Sequence, residues 1–326
     1  MTDQNDWCVP HGVVIKDHKI IRQIVSGSKS TSYSAVDGKG ERCILTILDR
    51  EKILTRAKLK AHHEGKSSEE GEEEGKQAFR RFQHQYCDIF ERTKGLTHES
   101  ILEMKQLGTN DDGSQLVIVS AYMPAIDLFS ATRGFTPLQQ ISMLAQALEG
   151  LSFVHAQQLL HLNLKPTRIW VDMEGIPPIV RLCDFGFAIP FEGHDGNIPG
   201  TPLYMPPEVA LERRDRIGER TDLYSFAATA YQCLAGRPAF EQRLEAGTDK
   251  GRLKMLIEKE GPPSPPSHLN QSVPKKLDEL VMTLLEKRPE GRRFASADEV
   301  LRFLHKNWPS ESREMPKTPT STMFGD

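Results

Sequence analysis

The chain has 326 residues, a formal net charge of −3, 38% apolar and 27% charged residues. That length can bury a large core, as one two-lobed domain or two small ones. The near-neutral charge implies no general affinity for nucleic acid or anionic membrane, and no apolar run approaches the roughly 20 residues of a membrane-crossing helix.

Residues 1–6 carry no basic and then apolar targeting pattern, and residues 1–18 are expected to form an N-terminal extension. Short apolar or β-branched runs at 19–25, 33–37 and 42–48 predict strands. Gly27 separates the first two, and the hairpin signal Asp37-Gly38-Lys39-Gly40 separates the second and third. Residues 61–76 are acidic and contain no apolar side chain beyond Ala61, so a solvated insertion is predicted there, with a docking patch for a basic partner as the sharper alternative. A strand at 115–119 follows the turn Asn110-Asp111-Asp112-Gly113.

From Thr136 the pattern becomes helical. Thr136 caps, Pro137 suits the first turn, and Leu138, Ile141, Leu144, Leu148 and Leu151 share a face. Leu277, Leu280, Val281, Leu284 and Leu285 make a second such face, and Ser296 with Glu299 a capping box. The polar, Pro-rich tail 309–326 is predicted to be disordered. Strands first and helices second is an α+β arrangement. The five cysteines, Cys8, Cys43, Cys87, Cys183 and Cys233, form no CxxC pair. That odd, scattered count argues for reduced thiols in a cytoplasmic protein.

Five motifs stand in order. His161-Leu162-Asn163-Leu164-Lys165-Pro166-Thr167-Arg168 resembles the catalytic loop H-R-D-x-x-x-x-N of protein kinases. Asp184-Phe185-Gly186 resembles D-F-G. The run from Gly200 to Glu208 resembles the G-T-x-x-Y-M-A-P-E close of an activation segment, with Pro206 in place of Ala. Thr221-Asp222-Leu223-Tyr224-Ser225 resembles the D-x-W-S helix start, and the run from Arg293 to Glu299 looks like the last motif of soluble bacterial serine/threonine kinases. The resemblance implies a bilobal fold, with a small β-rich lobe at 19–123 and a larger helical lobe at 124–308.

The departures fall on chemistry. Asn163 stands where the family has its base, and an amide does not accept a proton near neutral pH. Arg168 stands where a second metal ligand is usual, and a guanidinium repels Mg²⁺; pairing with Asp184 is the arrangement expected. Thr46 replaces the phosphate-gripping lysine of the third strand, with Lys29 and Lys52 as distant substitutes. Only Gly27 survives of the three loop glycines, Val25 and Ser30 taking the others. Counted back from Leu96-Thr97-His98, the position of the partner glutamate falls on Ile89, flanked by Asp88 and Glu91. Around adenine, Ile44 and Trp170 are enlarged beside Ser32, so an indole either fills the nucleotide volume or turns into core. Leu162 replaces the arginine that meets an activation-loop phosphate. Scaffold residues persist: Asp222 for the loop backbone, and Glu208 with Arg293 as an ion pair.

The resemblance therefore implies a catalytic-loop pair Asn163 and Lys165 without base chemistry. It implies a nucleotide region, if one is kept, of Gly27, Ser120, Ala121, Met123, Trp170 and Asp184, with Asp184 the one metal ligand. Three readings stay open: a pseudokinase that binds a protein partner, a switch that holds ATP without turnover, and a weakly active serine/threonine kinase using ATP and Mg²⁺. Neither nucleic acid nor membrane is expected as a partner.

Overall fold

The computed structural model describes residues 17–27, 29–93, 95, 97–110, 115–174, 178–185, 188–191, 200–247 and 249–309. The chain divides into two compact units, one of residues up to 97 with 102–123, the other of 98–101 with the chain from 124 onward. The expected extension and tail, Ser28, the turn positions 111–113 and Gly186 lie outside the described residues, the extension and tail almost wholly so.

The first unit is built on a five-stranded antiparallel sheet. Its strands are β1 (Lys19–Ser26), β2 (Ser30–Val36), β3 (Arg42–Leu48), β4 (Met104–Thr109) and β5 (Leu116–Ala121), in the spatial order β1-β2-β3-β5-β4. The β2–β3 turn closes on Asp37, whose carboxylate accepts the backbone N–H of Lys39 and Glu41, while Gly40 takes a left-handed φ of 85°. Side chains alternate across the pleat. Ala35, Cys43, Leu45, Val117 and Val119 form one apolar face. On the other face Leu48, Leu116 and Ile118 pack against Phe79, Tyr86, Cys87 and Phe90 of a long helix.

That helix corrects the sequence reading. The composition of 61–76 predicts a solvated insertion, yet α1 (Arg50–His63) runs to its start and α2 (Ser68–Thr93) begins within it. The apolar residues missing there are replaced by close backbone approach. A Cβ on Gly71 would lie 2.8 Å from the Ala61 Cβ and the Lys58 Cα, and one on Gly75 would lie 2.8 Å from Leu54. Small residues four apart on both helices, Gly71/Gly75 and Ala57/Ala61, thus let the two pack. Surface pairs finish the contact, Lys58 to Glu72 at 2.8 Å and Lys66 to Glu74 at 2.6 Å, and within α2 Lys76 also meets Glu72 at 3.1 Å. Lys58 and Lys76 hold the Glu72 carboxyl below its usual range. Ser67 and Glu70 exchange the reciprocal hydrogen bonds of a capping box at the start of α2.

The second unit is mainly helical. It contains β6 (Ala125–Asp127), α3 (Leu128–Thr132), α4 (Pro137–Ala156), β7 (Leu159–Leu160), β8 (Ile169–Asp172), β9 (Ile179–Leu182), β10 (Ile189–Pro190), α5 (Pro207–Ala210), α6 (Glu219–Ala235), α7 (Lys250–Lys259), α8 (Lys275–Leu284) and α9 (Ala297–Asn307). Strands β6-β8-β9 form one small sheet and β7-β10 another. The α4 capping box forms between Thr136 and Gln139, and Ile141, Leu144, Leu148 and Leu151 are fully buried. Leu138 departs from that face: it is 38% exposed in the first turn. Gln140 is buried in its neighbourhood, donating to the carbonyls of Thr132 and Phe135. The α+β class holds: a sheet-rich unit followed by a helical one.

Candidate functional site

The catalytic-like loop lies between β7 and β8 and is held from α6. Asp222, with no solvent exposure, accepts the backbone N–H of His161 and of Leu162, both at 2.7 Å. It also meets His155 Nε2 at 2.9 Å. Leu162 adopts a φ of 57° while almost fully buried. A γ-branched side chain in that region is strained, and the two bonds to Asp222 hold it there. His155 Nδ1 lies 3.4 Å from Glu219, near enough for charge attraction though not aligned as a hydrogen bond. Burial pushes the His155 imidazolium down, but the Asp222 and Glu219 carboxylates outweigh it and raise its pKa to about 9. His161 is pushed down by burial. Its ring lies against Phe185, with Nδ1 3.4 Å from the Asn163 N–H.

The reactive half of the loop is self-satisfying. Arg168 forms an ion pair with Asp184, and both side chains are largely buried. Asp184 has a φ of 59°, a conformation Asp tolerates better than most residues. Asn163, 5% exposed, takes a long 3.4 Å hydrogen bond from the Thr201 hydroxyl, which in turn accepts from Lys165 Nζ at 2.9 Å. Burial, and then the Arg168 charge, push the Lys165 ammonium down to about 8 against the pull of Asp184. Thr201 therefore ties the loop to the segment ending in Glu208. Trp170, on β8 between β6 and β9, is buried and donates its indole N–H to the Thr167 carbonyl at 3.2 Å.

That segment is clamped from below. Glu208 pairs with a fully buried arginine at 2.7 and 2.8 Å, but the partner is Arg292 and not the expected Arg293. Arg293 is exposed, its guanidinium over the rings of Phe294 and Phe303. One residue of register decides which side chain points inward, a distinction the motif alone does not carry. A second buried arginine has no counterpart in the motif reading. Arg243 donates to the carbonyls of Pro202 and Met205, to the Tyr224 hydroxyl and to Glu260. Its complete burial in a chain where most arginines are surface groups is the signal, and only the fold reveals it.

In the first unit, Thr46 faces Ser32 across β2–β3, and the two hydroxyls hydrogen bond at 2.9 Å. Ile44, Ser120 and Met123 are buried, and the Ala121 N–H donates to the Glu103 carbonyl. Gly27 closes the β1–β2 turn, its N–H bonding to the Ser30 carbonyl at 2.8 Å. Lys52, at the start of α1, donates to Ser26 and Thr31 on either side of that turn, both at 2.8 Å. Lys29 lies 3.9 Å above the Phe82 ring. Ile89 is buried within α2, and the contact of α2 with the Thr46 face of the sheet is apolar. Gly27, Ser120, Ala121 and Met123 thus belong to the first unit, and Asn163, Lys165, Trp170 and Asp184 to the second.

Mg²⁺ does not fit these residues. Asp184 already faces a guanidinium, and Arg168 offers no lone pair. Among the described residues no group of three or more His, Cys, Asp or Glu side chains is placed to hold a metal ion. Nor is any described helix long and apolar enough to cross a membrane.

Known proteins agree with the fold. Residues 65–305 match the protein kinase domain family. The chain is 36% identical to serine/threonine-protein kinase Pkn1 of Myxococcus xanthus over 160 residues, 47% of this chain and 22% of that protein. It is 28% identical to serine/threonine-protein kinase PknB of Mycobacterium tuberculosis over 236 residues, 69% of this chain and 36% of that protein. Against serine/threonine-protein kinase Nek6 of rice it is 26% identical over 96% of its own length and 53% of the relative's. The chain thus spans only about a fifth to a half of the length of these curated relatives. With the family match covering most of its length, the chain belongs to the protein kinase family and resembles its bacterial serine/threonine members.

Proposed function

We propose that this protein is a pseudokinase: a kinase fold that serves as a binding or regulatory module for a protein partner, without metal-dependent phosphotransfer. Phosphoryl transfer depends on positioning and on charge compensation around the moving phosphate. The observation that carries the reading is the Arg168–Asp184 ion pair, which puts a fixed cation against the one carboxylate left for a metal. Two further contacts support it. Thr46 spends its hydroxyl on Ser32, and Asn163 spends its amide oxygen on Thr201. Loss of general-base help alone costs about 10² to 10⁴ in rate.

A second reading, metal-free nucleotide binding, is favoured by one observation. The Lys52 ammonium sits at the mouth of the Gly27 turn, where a phosphate would be met by a positive charge. Thermal unfolding with ATP, in Mg²⁺ and in EDTA, separates the two. A ligand at 100 times its Kd adds about 2.7 kcal/mol. The pseudokinase reading expects no shift in either condition and no phosphate transfer to a generic protein substrate. A shift that persists in EDTA selects the metal-free switch. A shift that requires Mg²⁺, with transfer lost in Asp184→Ala, overturns the proposal.

A further inference from the structure

The segment after α7 reads Lys259-Glu260-Gly261-Pro262-Pro263-Ser264-Pro265-Pro266. Its chemistry is independent of whether the chain transfers phosphate. Each proline fixes its own φ near −65° and pushes the residue before it out of the helical region. Gly261, Pro262, Ser264 and Pro265 all precede a proline, so the sequence alone disfavours helix there and favours extended or polyproline II backbone. Both flanks are found there: Glu260 at φ −66°, ψ 142° and Pro265 at φ −54°, ψ 143°.

The segment is also fastened. Its start is held by Arg243, which donates to Glu260 at 3.0 Å, and its centre by the Tyr231 hydroxyl, which donates to the Ser264 carbonyl at 2.8 Å. An extended strand held in one conformation before binding loses less entropy when it is bound.

A polyproline II helix has three residues per turn, hence three edges. Here the edges are Gly261/Ser264, Pro262/Pro265 and Pro263/Pro266. A groove that receives such a helix contacts two edges and leaves the third outside. The chain presents that division. Gly261, Pro262 and Ser264 are exposed, Pro263 and Pro265 are both intermediate, and Pro266 is buried. Three residues before Pro262, at the last position of α7, Lys259 is exposed. The result is a basic residue followed by prolines at the third and sixth positions after it.

We propose that this segment is a docking strand for a partner domain with an aromatic-lined polyproline groove that carries a carboxylate at one end. Gly261-Pro262 and Ser264-Pro265 fill two successive aromatic slots, and the carboxylate meets Lys259. Grooves of this kind recognise preformed Pro-x-x-Pro strands. The fold supplies the strand fastened at Glu260 and Ser264, with Pro266 of the unused edge buried.

The test uses the intact chain and, as probe, a purified SH3-type domain whose groove takes peptides with a basic residue three positions before the first proline. Calorimetric titration is expected to show saturable one-to-one binding. Lys259→Glu, an exposed change, is expected to weaken binding at least about tenfold, as for a truncated interface anchor, with the unfolding midpoint unchanged. Because paired proline substitutions alter the loop itself, the decisive control is charge exchange. A probe whose groove carboxylate is replaced by Lys is expected to regain affinity for Lys259→Glu and to lose it for the original chain. Absence of binding, or binding that neither Lys259→Glu nor the exchanged probe alters, overturns the proposal.

Discussion

Two halves of one loop, eight residues long, follow opposite rules. At His161 and Leu162 the backbone is gripped by Asp222, a carboxylate whose hydrogen bonds hold the shape of the loop. At Asn163 and Arg168 the side chains that would face reactants are turned to each other's neighbours, Thr201 and Asp184. Buried polar groups must find partners wherever they stand. In the first half the partner is architecture. In the second, what the resemblance assigns to chemistry has become architecture as well. The loop conformation is thus held by Asp222, while Asn163 and Arg168 are paired within the fold.

The comparison breaks most visibly on the scaffold side. Glu208→Ala strands the fully buried Arg292 guanidinium, and removing one partner of such a pair typically costs about 3–5 kcal/mol. Asp222→Ala leaves two backbone N–H groups and His155 without their acceptor, at about 1–3 kcal/mol for each buried group. Urea unfolding should place both variants well below the parent. On the other side of the comparison, Asn163→Ala removes one long hydrogen bond and is expected to cost only about 1 kcal/mol. A loss as large as that of Asp222→Ala would erase the distinction between the two halves.

Helix α2 offers the same contrast in packing. Its second half buries Phe79, Tyr86 and Phe90, while its first half is held by glycine contact and surface ion pairs. Gly71→Leu drives a side chain into Ala61 and Lys58, an overpacking expected to cost about 1–3 kcal/mol. Lys58→Ala removes an exposed pair worth about 1 kcal/mol or less, an effect that should shrink further in high salt.

His155 sets the pH response of the scaffold half. Its folded pKa, about 9, lies above the ordinary value of 6.5. The stabilisation it gives is complete below about pH 6.5 and is lost as pH rises through about 9. The unfolding midpoint of the parent should fall over that window, and that of His155→Gln should fall less. Equal slopes would remove His155 from the account.

Much of this was legible in the residues. The short apolar and β-branched runs, the Thr136 cap and the motif order mark the fold, and the residue types at 163 and 168 mark where the motif departs from the family pattern. What stayed hidden has physical reasons. The start of α2 carries no apolar periodicity because its partner surface is met by Gly71 and Gly75, and a missing side chain leaves no trace in a hydrophobic pattern. Arg292 and Arg293 are neighbours of the same type, so only the backbone register distinguishes the buried one. Arg243 lies in the short 3-10 helix Glu241–Ala246 outside every motif, and its partners, the Pro202 and Met205 carbonyls with Tyr224 and Glu260, are brought together only by the fold.

The central claim is that Arg168 closes the metal position at Asp184. The direct measurement is thermal unfolding of the parent and of Arg168→Asn across a Mg²⁺ titration. The parent is expected to show no Mg²⁺-dependent shift. Arg168→Asn, with the carboxylate released beside an amide oxygen, is expected to be less stable in EDTA and to recover as Mg²⁺ is added. A parent that is itself stabilised by Mg²⁺, with Arg168→Asn no more responsive, would contradict the account.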